Sequence, residues 1–335
     1  MGRRRLTQRQ RARIQAIQEQ RREKLAIRAE QSLSDSNGAL TEGRVIIRHG
    51  ATLGVEALDG RLYQCLTRQN IGHPVCGDRV VLQAIDETTG VVTALLPRVS
   101  VLSRPDYTGQ EKPLAANIDL LVVVLAPRPE PSGYLLDQYL VTAETIGIQA
   151  LIAINKIDLL QGDIRREFVK EFDHYGGIGY PLVEISAKQE HGLDRLIERL
   201  KGRTSILLGQ SGVGKSSLIN ALLPSLELET GRLSRATGLG RHTTSAATCY
   251  HLPQGGDLID SPGVRSFRLT SLSIGQLEQG FPEFRPYLGL CRFKNCSHEH
   301  EPGCAIREAA EQAKINPQRL ENFLRLSRTV SASPA

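Results

Sequence analysis

The sequence predicts a multidomain α/β protein: a small N-terminal β-barrel, a doubly wound and mostly parallel sheet, and a short helical unit around a metal. Three observations carry that expectation. Five short β-branched runs fall within residues 43–103, alternating apolar strands and helices begin at Asn117, and Cys291, Cys296, His298 and Cys304 crowd into a polar stretch near the C-terminus. A chain of 335 residues exceeds one ordinary core, so two or three domains are expected. No apolar run reaches the length of about 18 residues that a membrane span needs, and the first residues lack the apolar core of a signal peptide. A soluble, cytoplasmic, monomeric chain without a membrane partner is the expectation.

Residues 1–38 read as a basic tail and linker. The first 30 residues hold ten Arg or Lys against three Glu, a charge of +7 in a chain whose total is +6, so the remainder sums to about −1. A basic arm on a near-neutral body is an electrostatic footprint for nucleic acid, because neutralised phosphates release counterions. A solvated, solubilising tail is the competing reading. Residues 39–103 follow as the barrel, with strands at 44–48, 55–57, 62–66, 79–85 and 90–96 separated by turn signals such as Leu58-Asp59-Gly60 and Gly72-His73-Pro74. Five such strands suit the oligonucleotide-binding barrel. Tyr63 is its only aromatic residue, so recognition of RNA there would use backbone and shape and not base stacking.

Residues 104–272 change rhythm. Strands at 118–125, 150–154, 181–185, 204–208 and 257–259 alternate with helices at 132–146, 163–175, 191–201 and 215–223, the pattern of a parallel sheet with crossover helices. Within it, Gly209-Gln210-Ser211-Gly212-Val213-Gly214-Lys215-Ser216, followed by Ser217, fits G-x-x-x-x-G-K-[ST] between a strand and a helix. The glycines let backbone N–H groups wrap an anion, Lys215 would reach the β- and γ-phosphates as a catalytic group, and the Ser216 hydroxyl would ligate Mg²⁺.

Asn155-Lys156-Ile157-Asp158 follows a buried strand and matches N-K-x-D. Guanine offers N1–H and its exocyclic amine as adjacent donors, which the Asp158 carboxylate can accept together; adenine has neither. Asn155 would brace the loop, and the Lys156 stem would lie over the purine. Ser186-Ala187-Lys188 would present backbone N–H to guanine O6. Asp260-Ser261-Pro262-Gly263 matches D-x-x-G, with Asp260 on Mg²⁺ through water and the Gly263 N–H sensing the γ-phosphate. Thr243 or Thr244 would complete the Mg²⁺ shell; spacing does not choose between them. Val264 stands where many GTPases carry a water-orienting glutamine, a role valine cannot fill; His242 is a candidate catalytic group to position the water, Arg241 could instead offset transition-state charge, and turnover is expected to be slow without a partner. The base readers precede the phosphate loop, so the domain is circularly permuted, a change that preserves a site when the original termini lie close together.

Residues 273–335 form the last unit, with helices at 273–280 and 303–326. Cys291-x4-Cys296-x-His298-x5-Cys304 suits one structural, tetrahedral Zn²⁺, with His300 as competing ligand. Cys65, Cys76 and Cys249 stand alone and read as small buried residues.

Together, the permuted motif order, the preceding barrel and the following Cys-x4-Cys-x-His-x5-Cys closely resemble the ribosome small-subunit-dependent GTPase A family over residues 40–325. The family's Gly-Arg-His-Thr-Thr loop is matched by residues 240–244, and its apolar residue after D-x-P-G by Val264. The resemblance implies a factor that binds the 30S ribosomal subunit late in assembly, contacts 16S rRNA, and hydrolyses GTP to GDP and phosphate on the subunit, releasing itself. A GTP-gated RNA-binding scaffold with incidental hydrolysis is the alternative. A phosphate-loop kinase is disfavoured by the guanine readers.

Overall fold

The computed structural model of the chain describes residues 40–68, 71–106, 110–226, 247–261 and 272–331. Strands β1 (Leu40–His49), β2 (Thr52–Ala57), β3 (Leu62–Thr67), β4 (Arg79–Ala84) and β5 (Thr89–Leu95) close the expected barrel. The long β1 serves both ends of that closure: residues 40–44 pair antiparallel with β4, and residues 43–49 with β2, across a bulge between Val45 and Ile47. Period-2 alternation turns Val45, Val55, Tyr63, Cys65 and Leu82 inward. Tyr63 is only 5% exposed, so the one barrel aromatic is committed to the core and not available to a base.

An antiparallel hairpin of β6 (Val101–Pro105) and β7 (Glu111–Ala116) follows. The sequence reading held no strand there, because Pro105 and Pro113 break the local pattern. Then comes the parallel layer: β8 (Leu120–Leu125), β9 (Gln149–Ile154), β10 (Leu182–Glu184), β11 (Thr204–Leu208), β12 (Ala247–His251) and β13 (Asp257–Asp260), in the spatial order β10-β9-β8-β11-β13-β12. All neighbours run parallel except β12, which is antiparallel to β13. Counted from β11, the strands run 6-5-4-1-3-2 across the sheet, so the permutation leaves the spatial arrangement whole. Strand β8 is buried at all six positions, as its uninterrupted apolar run requires.

Strand β12 was not expected: the sequence reading holds no strand between 204–208 and 257–259. Only Cys249 and Tyr250 of its five residues are buried, too little periodicity to read. It is nonetheless covered: Ile47 and Arg48 of β1 pair with Thr248 and Ala247, which fuses barrel and parallel layer into one eleven-stranded sheet. An ion cluster reinforces the seam. His251 lies between Asp257 Oδ1 and Glu56 Oε2, each at 2.6 Å, while Arg44 pairs with Asp257 and donates to Thr204 Oγ1 at 2.8 Å.

The crossover helices are α1 (Gly133–Ile146), α2 (Gly162–Lys170), α3 (Asp173–Gly177), α4 (Leu193–Leu200) and α5 (Lys215–Leu222). The single helix expected over 163–175 is two, because α2 buries no residue and the chain turns at Phe172 to bury that ring beside Tyr175. The C-terminal helices are α6 (Ile274–Gln279), α7 (Ala305–Glu311) and α8 (Pro317–Ser331). Here too one expected helix is two: Ala313 adopts a left-handed conformation (φ 56°), and Pro317, which lacks an N–H, opens the next helix.

These helices pack on α1 through Phe281, Phe284 and Phe323, whose ring centroids lie 5.0 to 5.5 Å apart. Gly280 permits the approach, since a Cβ there would come within 2.7 Å of Val141 Cγ1. A buried charge cluster completes the joint. Arg319 donates to Asp137 Oδ1 at 2.6 Å and forks onto Glu283 at 2.6 and 2.9 Å, while Asn322 and Tyr175 donate to Asp137 at 2.7 and 2.8 Å. Arg319 and Asp137 are 1% and 0% exposed. Burial pushes the Asp137 carboxyl upward, and Arg319, Asn322 and Tyr175 each draw it back.

Truncating one member of such a pair strands the other charge. Arg319→Ala should cost about 3–5 kcal/mol in urea unfolding. The seam makes a pH prediction. Hydrogen bonds to Asp257 and Glu56 raise His251 to about 10. A raised folded-state pKa makes this contribution complete below about pH 6.5, the unfolded value, and lost as pH climbs through about 10. The melting-temperature gap between the unmodified chain and His251→Gln should therefore be larger at pH 6 than at pH 10.

Candidate functional site

The motifs read from the sequence meet at the carboxyl ends of the parallel strands, where open α/β sheets place their ligands. Strand β11, fully buried between β8 and β13, delivers Gly209. A Cβ at Gly209 (φ 140°) would fall 2.3 Å from the Val124 carbonyl oxygen, and one at Gly214 (φ 97°) 2.5 Å from Asn155 Nδ2. The loop therefore closes over its neighbours as only glycine allows. Gly214 caps the N-terminus of α5, whose first-turn N–H groups have no helical acceptor and suit an anion. Ser211, Gly212, Ser216 and Ser217 are exposed around the loop, and Val213 is buried beneath it. Lys215 folds back, its Nζ donating to the carbonyls of Gly209 at 2.6 Å and Gln210 at 2.7 Å. The Gln210 side-chain oxygen is buried without a hydrogen-bond partner.

Asn155, 1% exposed, joins three loops. Its Nδ2 donates to Val213 O at 2.9 Å, and its Oδ1 accepts from the Ala187 N–H at 3.1 Å. Lys156 stands in a left-handed conformation (φ 59°), which sends its stem across to the Arg128 carbonyl at 3.0 Å and to the Gly212 carbonyl. The Ser186 hydroxyl donates to Asp158 Oδ1 at 2.6 Å, fixing the carboxylate while leaving it lone pairs for further donors. Lys188 is exposed at the rim of that turn. Neither the Arg128 carbonyl nor the Ser186–Asp158 contact was expected; the first is a backbone group and carries no sequence signal.

Asp260 ends β13, and with Lys215, Ser216 and Ser261 it lines one pocket beside α5. A hydroxyl and a carboxylate facing one pocket at a phosphate loop form an oxygen donor set that fits Mg²⁺. Ser261 was not singled out in the sequence. Arg241, His242, Thr243, Thr244, Gly263 and Val264, with the basic tail, lie outside the described residues.

A second centre gathers Cys291, Cys296, His298 and Cys304, with one ligand atom from each and all four within 4.8 Å of one another. Nδ1 of His298 is 3.3 Å from Cys304 Sγ and 3.6 Å from Cys291 Sγ, and the two sulfurs are 4.0 Å apart. Bonds of about 2.0–2.3 Å to a tetrahedral cation imply edges of roughly 3.5–3.8 Å, so the four atoms fit one metal ion. His298 Nε2 faces Glu278 Oε1 at 3.2 Å, the outer contact that fixes a ligating imidazole's tautomer. His300, the competing ligand, is 88% exposed and points to Glu299. The isolated cysteines are buried as expected, and burial pushes the Cys65 and Cys249 thiols up to about 12.

Comparisons with known proteins agree with this geometry. A family model described as RsgA GTPase matches residues 95–270. A protein from Hahella chejuensis is 47% identical, aligned over 97% of this chain and 96% of its own length. One from Pseudomonas aeruginosa is 46% identical, over 96% of each. Both are named small ribosomal subunit biogenesis GTPase RsgA. Among solved structures, YjeQ from Thermotoga maritima aligns with a TM-score of 0.72 at 32% identity, covering 88% of this chain and 100% of that one. YloQ, described as a circularly permuted GTPase, aligns at 0.70 and 29% identity, covering 89% and 97%. The chain therefore belongs to the RsgA GTPase family and is a hydrolase acting on GTP.

Proposed function

We propose that this chain is a GTPase of late small-subunit assembly, binding the 30S subunit through 16S rRNA in the cytoplasm and hydrolysing GTP to GDP and phosphate under stimulation by that subunit. The observation that carries the reading is the Asn155 side chain, which holds the N-K-x-D and S-A-K loops against the phosphate loop in one guanine-nucleotide site. The names of the relatives supply the ribosomal setting.

In this scheme the Asp158 carboxylate, steadied by Ser186, accepts N1–H and the exocyclic amine of guanine, and the N–H groups near Ala187 and Lys188 face O6. Backbone N–H groups of residues 209–217 surround the phosphates. Lys215 exchanges its two carbonyl partners for β- and γ-phosphate oxygens. The Ser216 hydroxyl and, through water, Asp260 would hold Mg²⁺, with Thr243 or Thr244 completing the set, and the ion would supply positive charge against the transferring phosphoryl group. The Gly263 N–H senses the γ-phosphate, and His242 orients the attacking water; these roles rest on the sequence. Cys291, Cys296, His298 and Cys304 would hold zinc as a structural ion, since three thiolates and one imidazole leave no open position. The basic residues of positions 1–30 add phosphate contacts.

Turnover of GTP and of ATP, with and without 30S subunits, tests the reading. GTP hydrolysis should rise on adding subunits while ATP stays a poor substrate; equal use of ATP, or indifference to the subunit, overturns it. Elemental analysis should find one zinc per chain, retained in His300→Ala and lost in Cys304→Ser.

A further inference from the structure

The segment between β8 and α1 belongs to no nucleotide motif, yet it meets two of them. Residues 127–131 read Pro-Arg-Pro-Glu-Pro, and three rings that fix φ leave such a segment few conformations. Its ends are tied as well: β8 is buried throughout, and the Ser132 hydroxyl caps α1 by accepting from the Leu135 N–H at 3.2 Å. In between, the Arg128 carbonyl accepts from Lys156 Nζ at 3.0 Å, and the same ammonium donates to the Gly212 carbonyl of the phosphate loop. One residue on, Pro129 Cδ lies 3.6 Å from where a Cβ on Gly212 would stand, so the two loops lie side by side. The Arg128 backbone is thereby fixed at the rim of the site, one ammonium away from the phosphate loop.

Its side chain is not fixed. Arg128 is exposed, and among the described residues its guanidinium has no hydrogen bond and no ion pair. Exposed arginines elsewhere, Arg166, Arg285 and Arg328, each hold a carboxylate. We propose that Arg128 is a nucleotide-binding residue, whose guanidinium donates to phosphate oxygens of bound GDP or GTP from outside the motifs. The proposal rests on the guanine-nucleotide reading of the site. A guanidinium is a planar fork of donors that matches phosphate oxygens, and its long stem lets it swing to them from a pinned backbone. The ordering of that backbone is met in folding, through the prolines and Lys156, and not in binding.

The test is the dissociation constant for GDP, with Mg²⁺ present, measured by calorimetry on the full-length chain. Arg128→Gln keeps a polar side chain and removes the charge; it should weaken GDP binding about threefold to tenfold at low salt, the scale of one hydrogen bond. Arg128→Lys restores the charge and should recover most of the loss. Because exposed charges are screened, the gap between Arg128→Gln and the unmodified chain should narrow as salt rises from about 50 to about 500 mM. A merely structural role would instead lower the melting temperature without nucleotide, and Arg128→Gln should leave that temperature unchanged. Unchanged GDP affinity in Arg128→Gln overturns the proposal, as does a loss that Arg128→Lys shares or that salt does not reduce. Unchanged GDP affinity together with weakened 30S binding would assign the cation to ribosomal RNA phosphates and overturn it equally. Absence of GDP binding by the unmodified chain would instead overturn the nucleotide reading itself.

Discussion

The proposed nucleotide site depends on one buried amide. Asn155 spends both ends of its side chain on backbone groups of other loops, a donor to Val213 and an acceptor from Ala187. At 1% exposure it has no water to fall back on, so losing either partner would leave a polar atom unsatisfied in a low-dielectric setting. Gly214 is glycine because that amide fills the space a Cβ would need. Three loops that are far apart in the chain are thus registered to one another before any nucleotide arrives. This is preorganisation in the useful sense: the ordering entropy of the loops is met in folding and not in binding.

The permutation is harmless for a reason visible in the strands. Adjacent strands supply the adjacent loops: β8 and β9 lie on one side of β11, and β13 on the other. What the cut in the chain changes is only which connections are covalent. The C-terminal helices are attached beyond β13 in sequence, yet they dock on α1, across a cluster in which Arg319 is stacked 4.5 Å from the Phe281 ring as well as paired with carboxylates. A charge this deep is tolerated because each of its three guanidinium nitrogens donates to a carboxylate and aromatic faces cover it.

Much of the site was legible in the sequence because its chemistry is local. Loops such as 209–216 and 155–158 are defined by backbone geometry and a few invariant needs, so spacing alone announces them. The fold class was legible for the same reason, since Leu120–Leu125 can be little else than a buried strand. Other features have no local signal. Asp137 and Arg319 are 182 positions apart, and each alone reads as an ordinary solvated charge on a helix. Between His298 and His300, spacing could not decide, because two residues shift the imidazole by a distance that a loop absorbs freely; the left-handed turn at His298 (φ 64°) directs it inward. Strand β12 is visible only through its partners, as Ala247–His251 acquires strand character from β1 on one side and β13 on the other.

That sandwiching of β12 has a consequence for solubility. A sheet's outermost strand exposes a row of unpaired N–H and C=O groups, an invitation to pair with another copy of the chain. Here one flank of the parallel layer passes its hydrogen bonds to β1, and through β1 to a barrel that closes on itself and so has no rim strand. The opposite flank ends in β10, only three residues long. By continuing one sheet into a ring, the eleven-stranded sheet keeps only the short β10 as an open edge, and so presents little template on which intermolecular β-pairing and aggregation would start.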